Sequence, residues 1–351
     1  MKAVRLHKTG GPEVLQIDEV PMPEAGPGQV LVKAHSIGAG IPDQLVRTGR
    51  YPWMPPLPTI PGIEMSGTVA ALGAGVTGLR EGDPIFVSAI QNRSCYAEFL
   101  SADADWVFPC AEGIDPADAG CLQNYRVAWC ILHVAARVRA GDTVAIVGAA
   151  GGVGSALLQL ANAADLTTIA LVRNPVKSTF VAAQGADHVI DTRGEDLTEQ
   201  IMAITDGLGV DLFIDPVAGP GFKDHLELLA PVGMLVLYGM IEELPTNGVF
   251  RAQCERWGRS PAVRMFSIHA YDKQPDASRR HLSHLMEMIK DARIKPAIFA
   301  ELPLDMAVEA HRLIDDGAVM GKILLQPGRT EPRYAAPSDI RPSPRFGMYC
   351  G

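Results

Sequence analysis

The chain has 351 residues, more than one hydrophobic core usually organises, so two domains are expected. Lys and Arg number 31 against 40 Asp and Glu, a net charge of −9 that argues against nonspecific binding to nucleic acid or to an anionic membrane. Hydrophobic residues make up 47%, no apolar run nears the roughly 20 residues of a membrane span, and Met1-Lys2-Ala3-Val4-Arg5 leads into strand-like sequence rather than a signal core; a soluble cytoplasmic enzyme is the expectation.

The six cysteines (Cys95, Cys110, Cys121, Cys130, Cys254 and Cys350) form no C-x-x-C pair and have irregular spacing. Without a secretory signal most of them read as small buried hydrophobes, and a disulfide framework is not expected.

Residues 1 to about 100 carry short strand patterns at 14–17, 29–34 and 67–72. Pro21, Pro23, Pro27, Pro55, Pro56, Pro58 and Pro61 punctuate them, so a barrel-like all-β domain with irregular loops is expected. Near residue 125 the pattern changes. An apolar strand at 143–147 runs into a glycine cluster, followed by Leu157, Leu160, Ala161 and Ala164 at the i, i+3, i+4, i+7 spacing of one helix face. Strand 167–172, helix 177–184, strand 187–190, helix 195–205, strand 210–214, helix 222–229 and strand 234–237 follow. Such alternation, with apolar strands, implies a parallel, doubly wound α/β sheet. Leu282, Leu285, Met286 and Ile289 mark another amphipathic helix, and a strand at 300–304, a helix at 306–315 and a strand at 322–325 return to the first domain. From Pro327 the Pro-rich tail, with several arginines, reads as extended or disordered.

The segment Gly148-Ala149-Ala150-Gly151-Gly152-Val153-Gly154 joins the first strand of the alternation to its helix. Against the G-x-G-x-x-G template Ala149 takes the first glycine position, with Gly151 and Gly154 at the other two. Small residues there let a backbone approach a pyrophosphate, and the helix N-terminus then offers N–H groups and positive dipole. Ala149, Gly151, Gly152, Val153 and Gly154 are therefore the expected dinucleotide cradle. The next strand ends in Arg173 where an NAD enzyme would place an acid for the ribose hydroxyls, and Lys177 stands one turn on. Two cations there suit the 2′-phosphate of NADPH; otherwise they are solvated surface charges. Tyr238, just after the strand at 234–237, is counted among the cofactor residues. The motif is central and no tyrosine has a lysine four residues on, which sets aside the short-chain dehydrogenase pattern.

Over about residues 1 to 326 the chain resembles the medium-chain dehydrogenase/reductase superfamily and, within it, the zinc-free, ζ-crystallin-like quinone oxidoreductases. The resemblance is carried by Gly10-Gly11-Pro12-Glu13-Val14-Leu15, Gly26-Pro27-Gly28-Gln29-Val30-Leu31-Val32, Arg47-Thr48-Gly49-Arg50-Tyr51-Pro52, Gly75-Val76-Thr77-Gly78, Gly82-Asp83, the glycine segment and Asp215-Pro216-Val217. It implies a GroES-like β-barrel substrate domain (1–124 and 270–326), a Rossmann-like NADP-binding domain (125–269), a Pro-rich tail (327–351), a cleft between the domains and a homodimer. Zinc relatives carry a cysteine near position 39, a Gly-His-Glu and a further cysteine; here stand Gly38-Ala39-Gly40 and Gly62-Ile63-Glu64, so no metal site is expected.

Without zinc, the available chemistry is hydride delivery to a quinone or an α,β-unsaturated carbonyl, whose developing charge hydrogen-bond donors can stabilise. The resemblance matches Tyr51 to the proton-donating tyrosine of 2-enoyl thioester reductases. A phenol, with an ordinary pKa of about 10, can donate there; Tyr51 is otherwise an aromatic wall of the pocket. Asn124, before Tyr125, matches the family segment beside the nicotinamide. Asp43 and Glu64 match family positions where structural hydrogen bonding is expected. Gly40, Val127, Trp129 and Thr192 depart from the family's Asn, Thr, Tyr and Tyr, leaving a more apolar pocket with fewer donors. The alternatives are a 2-enoyl thioester reductase, or an NADPH-binding sensor or interaction protein with little catalysis. A small-molecule substrate is expected, and no nucleic acid or membrane partner.

Overall fold

Residues 1–89, 94–194, 196–242 and 248–335 are described in the computed structural model. Glu195, Cys350 and the tail beyond 335, on which expectations above fall, lie outside the described residues. The chain divides into two units, one of Met1–Gln123 with His269–Asp291 and 296–335, the other of Asn124–Ile268 with Ala292–Lys295.

The first unit is built on the long strand Gln29–Ala39. Register shifts at Leu31/Val32 and Ala34/Ser36 bend it, so that it pairs with Glu64–Leu72, Phe99–Asp103 and Lys322–Gln326 at different points along its length. Pro84–Ser88 and Val107–Pro109 extend the sheet on one side, Ile298–Pro303 and Arg333–Tyr334 on the other. Residues Val30, Val32, Ile37, Met65, Ile85 and Leu325 fill the core. One expectation needs correction. The region expected to be all-β holds a short helix, Ile41–Arg47, with Pro42 in its first turn, where the missing N–H is no loss. The start of the tail is extended. Arg333–Tyr334 pairs antiparallel with Ile298–Pro303, and the Arg329 and Arg333 guanidiniums both donate to Glu301.

His311, on the helix Ala307–Asp315, is fully buried with its Nε2 3.2 Å from the Tyr96 hydroxyl. Burial, aided by the Arg47 charge, pushes its pKa down to about 3. Below pH 6.5 the unfolded chain therefore takes up a proton that the folded chain refuses, and stability falls as the pH drops toward 3. Between pH 6.5 and 5 the expected loss is about 2 kcal/mol. His311→Gln should flatten that acid limb in denaturant titrations; an unchanged limb assigns it to other groups.

The second unit carries the parallel sheet. Its strands are β1 (Thr143–Val147), β2 (Thr167–Val172), β3 (His188–Asp191), β4 (Val210–Asp215), β5 (Leu229–Leu237) and β6 (Ala262–Met265). Their order is β3-β2-β1-β4-β5-β6, all parallel, with α1 (Gly152–Ala163) after β1 and α2 (Val176–Ala183) after β2. This is the six-stranded Rossmann order, whose direction reverses between β1 and β4. The sequence shows five of these strands. β6 is missed because it lies at the edge, where Arg264 and Met265 face solvent and break the apolar run. β5 starts five residues before the expected strand, since Pro231 and Gly233 interrupt the pattern around the left-handed Val232. The helix expected at 222–229 is a 3₁₀ segment, Pro220–Leu228. No helix among the described residues is long and apolar enough to cross a membrane.

Candidate cofactor-binding and active-site residues

In the second unit the glycine segment runs directly from β1 into α1. Gly148 has φ +66°, a left-handed conformation that turns the chain at the strand end. A Cβ on Gly148 would lie 3.6 Å from the Pro216 ring, so the loop after β1 sits beside the loop after β4, at the point where strand order reverses. At Gly154 a Cβ would run into the Gly148 carbonyl and the Ala149 backbone; this glycine closes the helix onto the loop. Ala149 is fully buried and Gly151, Gly152 and Val153 are half-buried, so their backbone rather than side chains faces outward.

The first N–H groups of any helix lack partners within it. Here the N-cap is Gly151, no side chain caps the end, and the first turn holds no acid. A phosphate is the natural acceptor for such an end. The residues present thus fit a dinucleotide pyrophosphate.

Arg173 is exposed at the end of β2, and Lys177 is half-buried in the first turn of α2. Burial lowers the Lys177 pKa, and an ammonium drawn out of water is best stabilised by a facing anion. Arg193, after β3, is engaged by Asp191 through two hydrogen bonds, of 3.1 and 2.9 Å. Tyr238 follows β5, and its N–H donates to the Asp215 carbonyl at 3.1 Å. Burial, with the Asp215 charge, holds its phenol above the ordinary range, so it stays protonated. Asp215 itself is buried at the end of β4. Its Oδ1 accepts from the N–H groups of Val217 (2.6 Å) and Ala218 (3.2 Å), and its Oδ2 lies 3.3 Å from His225 Nδ1. The proximity of His225 to Asp215 has no signature in the sequence.

Asn124 opens the same unit, half-buried on the helix Leu122–Trp129. Its neighbour Tyr125 is buried, and its hydroxyl donates to Gln159 Oε1 at 2.9 Å, tying this helix to α1. Val127 is half-buried, and Trp129 stacks on His133 with ring centroids 3.9 Å apart.

In the first unit Tyr51 belongs to a cluster that the sequence does not reveal. Its hydroxyl lies 2.7 Å from His269 Nε2, and His269 Nδ1 lies 2.8 Å from Asp272 Oδ2. Trp53 covers the imidazole with centroids 4.0 Å apart. The only local hint is the His-x-x-Asp spacing. A second missed group is the buried pair Lys322–Glu64, with Nζ 2.5 Å from Oε1. Glu64 Oε2 also accepts from the Gln123 N–H at 3.1 Å. Asp43, equally buried, accepts from the N–H groups of Gly40 and Gly62, both at 3.1 Å. The carboxylates at the two family positions are thus engaged by backbone amides and an internal lysine.

Comparison with known proteins agrees with this architecture. The family described as "Alcohol dehydrogenase GroES-like domain" matches residues 26–136, and that described as "Zinc-binding dehydrogenase" matches 184–325. The rat quinone oxidoreductase is 30% identical over 329 residues, covering 93% of this chain and 97% of its own. The chain belongs to the quinone oxidoreductase family of medium-chain dehydrogenases/reductases. A second relative is the rat synaptic vesicle membrane protein VAT-1 homolog, 29% identical over 335 residues, 91% of this chain and 82% of the relative. Among solved structures, the Escherichia coli quinone oxidoreductase complexed with NADPH superposes with a TM-score of 0.87 at 26% identity, covering 93% of this chain and all of that one. A mycobacterial protein complexed with NADPH gives 0.86 at 29% identity with the same coverage.

One family description names zinc, and the residues do not fit it. The positions that hold ligands in zinc relatives are Gly38-Ala39-Gly40 and Ile63, and the cation beside Glu64 is the Lys322 ammonium. Among the described residues no three His, Cys, Asp or Glu side chains come together to hold a metal.

Proposed function

We propose that the protein is an NADPH-dependent, zinc-independent reductase that transfers hydride to a quinone or an α,β-unsaturated carbonyl. The observation that carries the reading is the uncapped helix N-terminus on the Gly148–Gly154 loop, with Arg173 and Lys177 one strand away. Backbone amides of Gly151, Gly152, Val153 and Gly154 receive the pyrophosphate, and Arg173 and Lys177 the 2′-phosphate. Ala149 shapes the turn from beneath; Tyr238 and Asn124 flank the bound cofactor. When bound, NADPH supplies the hydride. Tyr51 supplies a hydrogen-bond donor or proton to the oxygen that gains charge. The family membership and the NADPH complexes of two relatives support the same reading.

The test is a panel of quinones, enones and 2-enoyl thioesters followed by NADPH absorbance. Reduction of quinones or enones is the expected result. Thioester turnover without quinone turnover would move the assignment to an enoyl thioester reductase, a reading that Tyr51 also suits. Tight NADPH binding with no turnover of any acceptor overturns the enzyme reading in favour of a sensor.

Cofactor choice has its own test. Arg173→Ala and Lys177→Ala should each weaken NADPH binding by roughly tenfold or more, the value of one charge-assisted hydrogen bond, and leave NADH binding unchanged in fluorescence titrations. Equal losses for both cofactors would remove the 2′-phosphate assignment.

A homodimer formed along β6 completes the proposal. Among the described residues β6 pairs only with β5, and Phe250, Trp257 and Met265 stand 78%, 81% and 68% exposed in the segment leading to and including it. Large apolar groups so exposed, on and before an edge strand, are normally covered. The cytoplasm is the proposed location.

A further inference from the structure

We propose that His269 and Asp272 form a proton relay that charges Tyr51, making them positioning residues for the protonation half of the reaction. The inference rests on the reductase reading above and adds to it the origin of the proton.

Geometry fixes the roles. A carboxylate only accepts, so the 2.8 Å contact from His269 Nδ1 to Asp272 Oδ2 requires Nδ1 to carry the proton. That leaves Nε2, 2.7 Å from the Tyr51 hydroxyl, to set the state of the phenol. When the imidazole is neutral, Nε2 accepts and the Tyr51 O–H is turned inward. When it is protonated, Nε2–H donates to Tyr51 Oη, and the phenol proton is released toward an acceptor. Tyr51 and Trp53 face His269 from one loop and Asp272 from its own segment. The imidazole is only 10% exposed, its face covered by Trp53, so the hydrogen bonds at its two nitrogens fix its orientation.

The step balances. Reduction of a conjugated carbonyl consumes one hydride and one proton. After hydride addition the acceptor is an oxyanion. The Tyr51 Oη–H bond breaks and a bond from that proton to the acceptor forms. The phenolate oxygen takes the Nε2 proton of His269, and the imidazole is left neutral with Nδ1–H still donated to Asp272. The two electrons of the hydride stay on the product, and the imidazole recovers one proton from solvent before the next turnover.

The experiment compares His269→Ala and Asp272→Asn with the unsubstituted protein, using an enone or thioester that protein reduces, since a quinone calls least on the acid. Both should lower kcat, His269→Ala by roughly 10²-fold and Asp272→Asn by less, with the acceptor KM and the NADPH dissociation constant unchanged. Proton transfer should become rate-limiting, so that the solvent deuterium isotope effect on kcat rises. Added imidazole should restore turnover to His269→Ala and not to Tyr51→Phe. In protein free of cofactor and acceptor, the Nδ1–H resonance of His269 should stand far downfield and move upfield in Asp272→Asn. Unchanged kcat and isotope effect, or a loss that imidazole leaves untouched with the isotope effect unmoved, overturns the relay as a merely structural contact. Asp272→Asn, isosteric and a third exposed, decides the matter if His269→Ala does not fold. Absence of turnover by the unsubstituted protein is a different failure, since it removes the reductase reading and the relay with it.

Discussion

Lys322→Met should destabilise the protein by about 3–5 kcal/mol, lowering the melting temperature of the first unit by on the order of 10 °C. Lys322 comes from the strand Lys322–Gln326, which pairs with the end of Gln29–Ala39, and its ammonium meets Glu64 at 2.5 Å. Both side chains are buried, Glu64 completely. A Cβ on Gly38 would lie 2.5 Å from Glu64 Oε1, so the carboxylate rests against bare backbone and has no room to swing toward water. Without the ammonium, it keeps only the Gln123 N–H on its other oxygen. An uncompensated buried charge is far more costly than the intact pair is favourable. Adding Glu64→Gln to Lys322→Met should therefore recover most of the loss, because the amide oxygen still accepts from Gln123 and no charge remains. Burial alone would lower the Lys322 pKa, but the Glu64 charge and hydrogen bond outweigh it and hold the group above its ordinary value. A raised folded pKa means the stabilisation is complete below the unfolded value of about 10.4 and fades only as the pH climbs through the folded one. The single variant should thus lose stability evenly across the neutral range. A loss under about 1 kcal/mol in denaturant unfolding would mean that water reaches Glu64.

What could be read from the sequence is what local rules enforce. Gly148 turns with positive φ and Gly154 has no space for a Cβ, so the loop announces itself within seven residues. The strands β1, β2 and β4 announce themselves as apolar runs because both sheet faces are covered. Where one side of an element meets solvent, as at β6, the run breaks and the element is missed. The short helix Ile41–Arg47 has no such signature, and Pro42 in its first turn costs it nothing. The candidate site divides in the same way. Arg173 and Lys177 are visible because they stand at a fixed distance after a strand end, whereas their role still depends on what binds. Tyr51 stands out by its loop, yet its partner His269 is 218 positions away, and Lys322 is 258 positions from Glu64. Neither pairing has a local signature. Both arise because the chain leaves the first unit, builds the parallel sheet, and returns to add its last strands to the first sheet. A sequence reading can name the residues of such a site singly, but only topology assembles them.

Tyr51→Phe should lower kcat by roughly 10²–10³-fold while leaving the NADPH dissociation constant and the fold unaltered. The substitution removes one oxygen and keeps the ring, so the packing against Trp53, at 5.7 Å between centroids, and against His269, at 6.0 Å, survives. What goes is the hydroxyl that meets the His269 imidazole and that the proposed reaction assigns as donor to the acceptor. The loss should depend on the acceptor in a way that follows from the basicity of the anion made. Hydride addition to an enone or enoyl thioester gives an enolate, a strong base whose formation needs a donor aimed at its oxygen. A quinone gives a hydroquinone anion, a weaker base that water can protonate after release. General acid catalysis matters most where the charge in the transition state is most basic. The ratio of the tyrosine to the phenylalanine protein in kcat/KM should therefore be larger for enones and thioesters than for quinones, while the acceptor KM moves little. Steady-state rates on one acceptor of each kind, with thermal melts as a control, measure this directly. Equal, small effects on all acceptors would make Tyr51 an aromatic wall only, and the donor would have to be sought elsewhere.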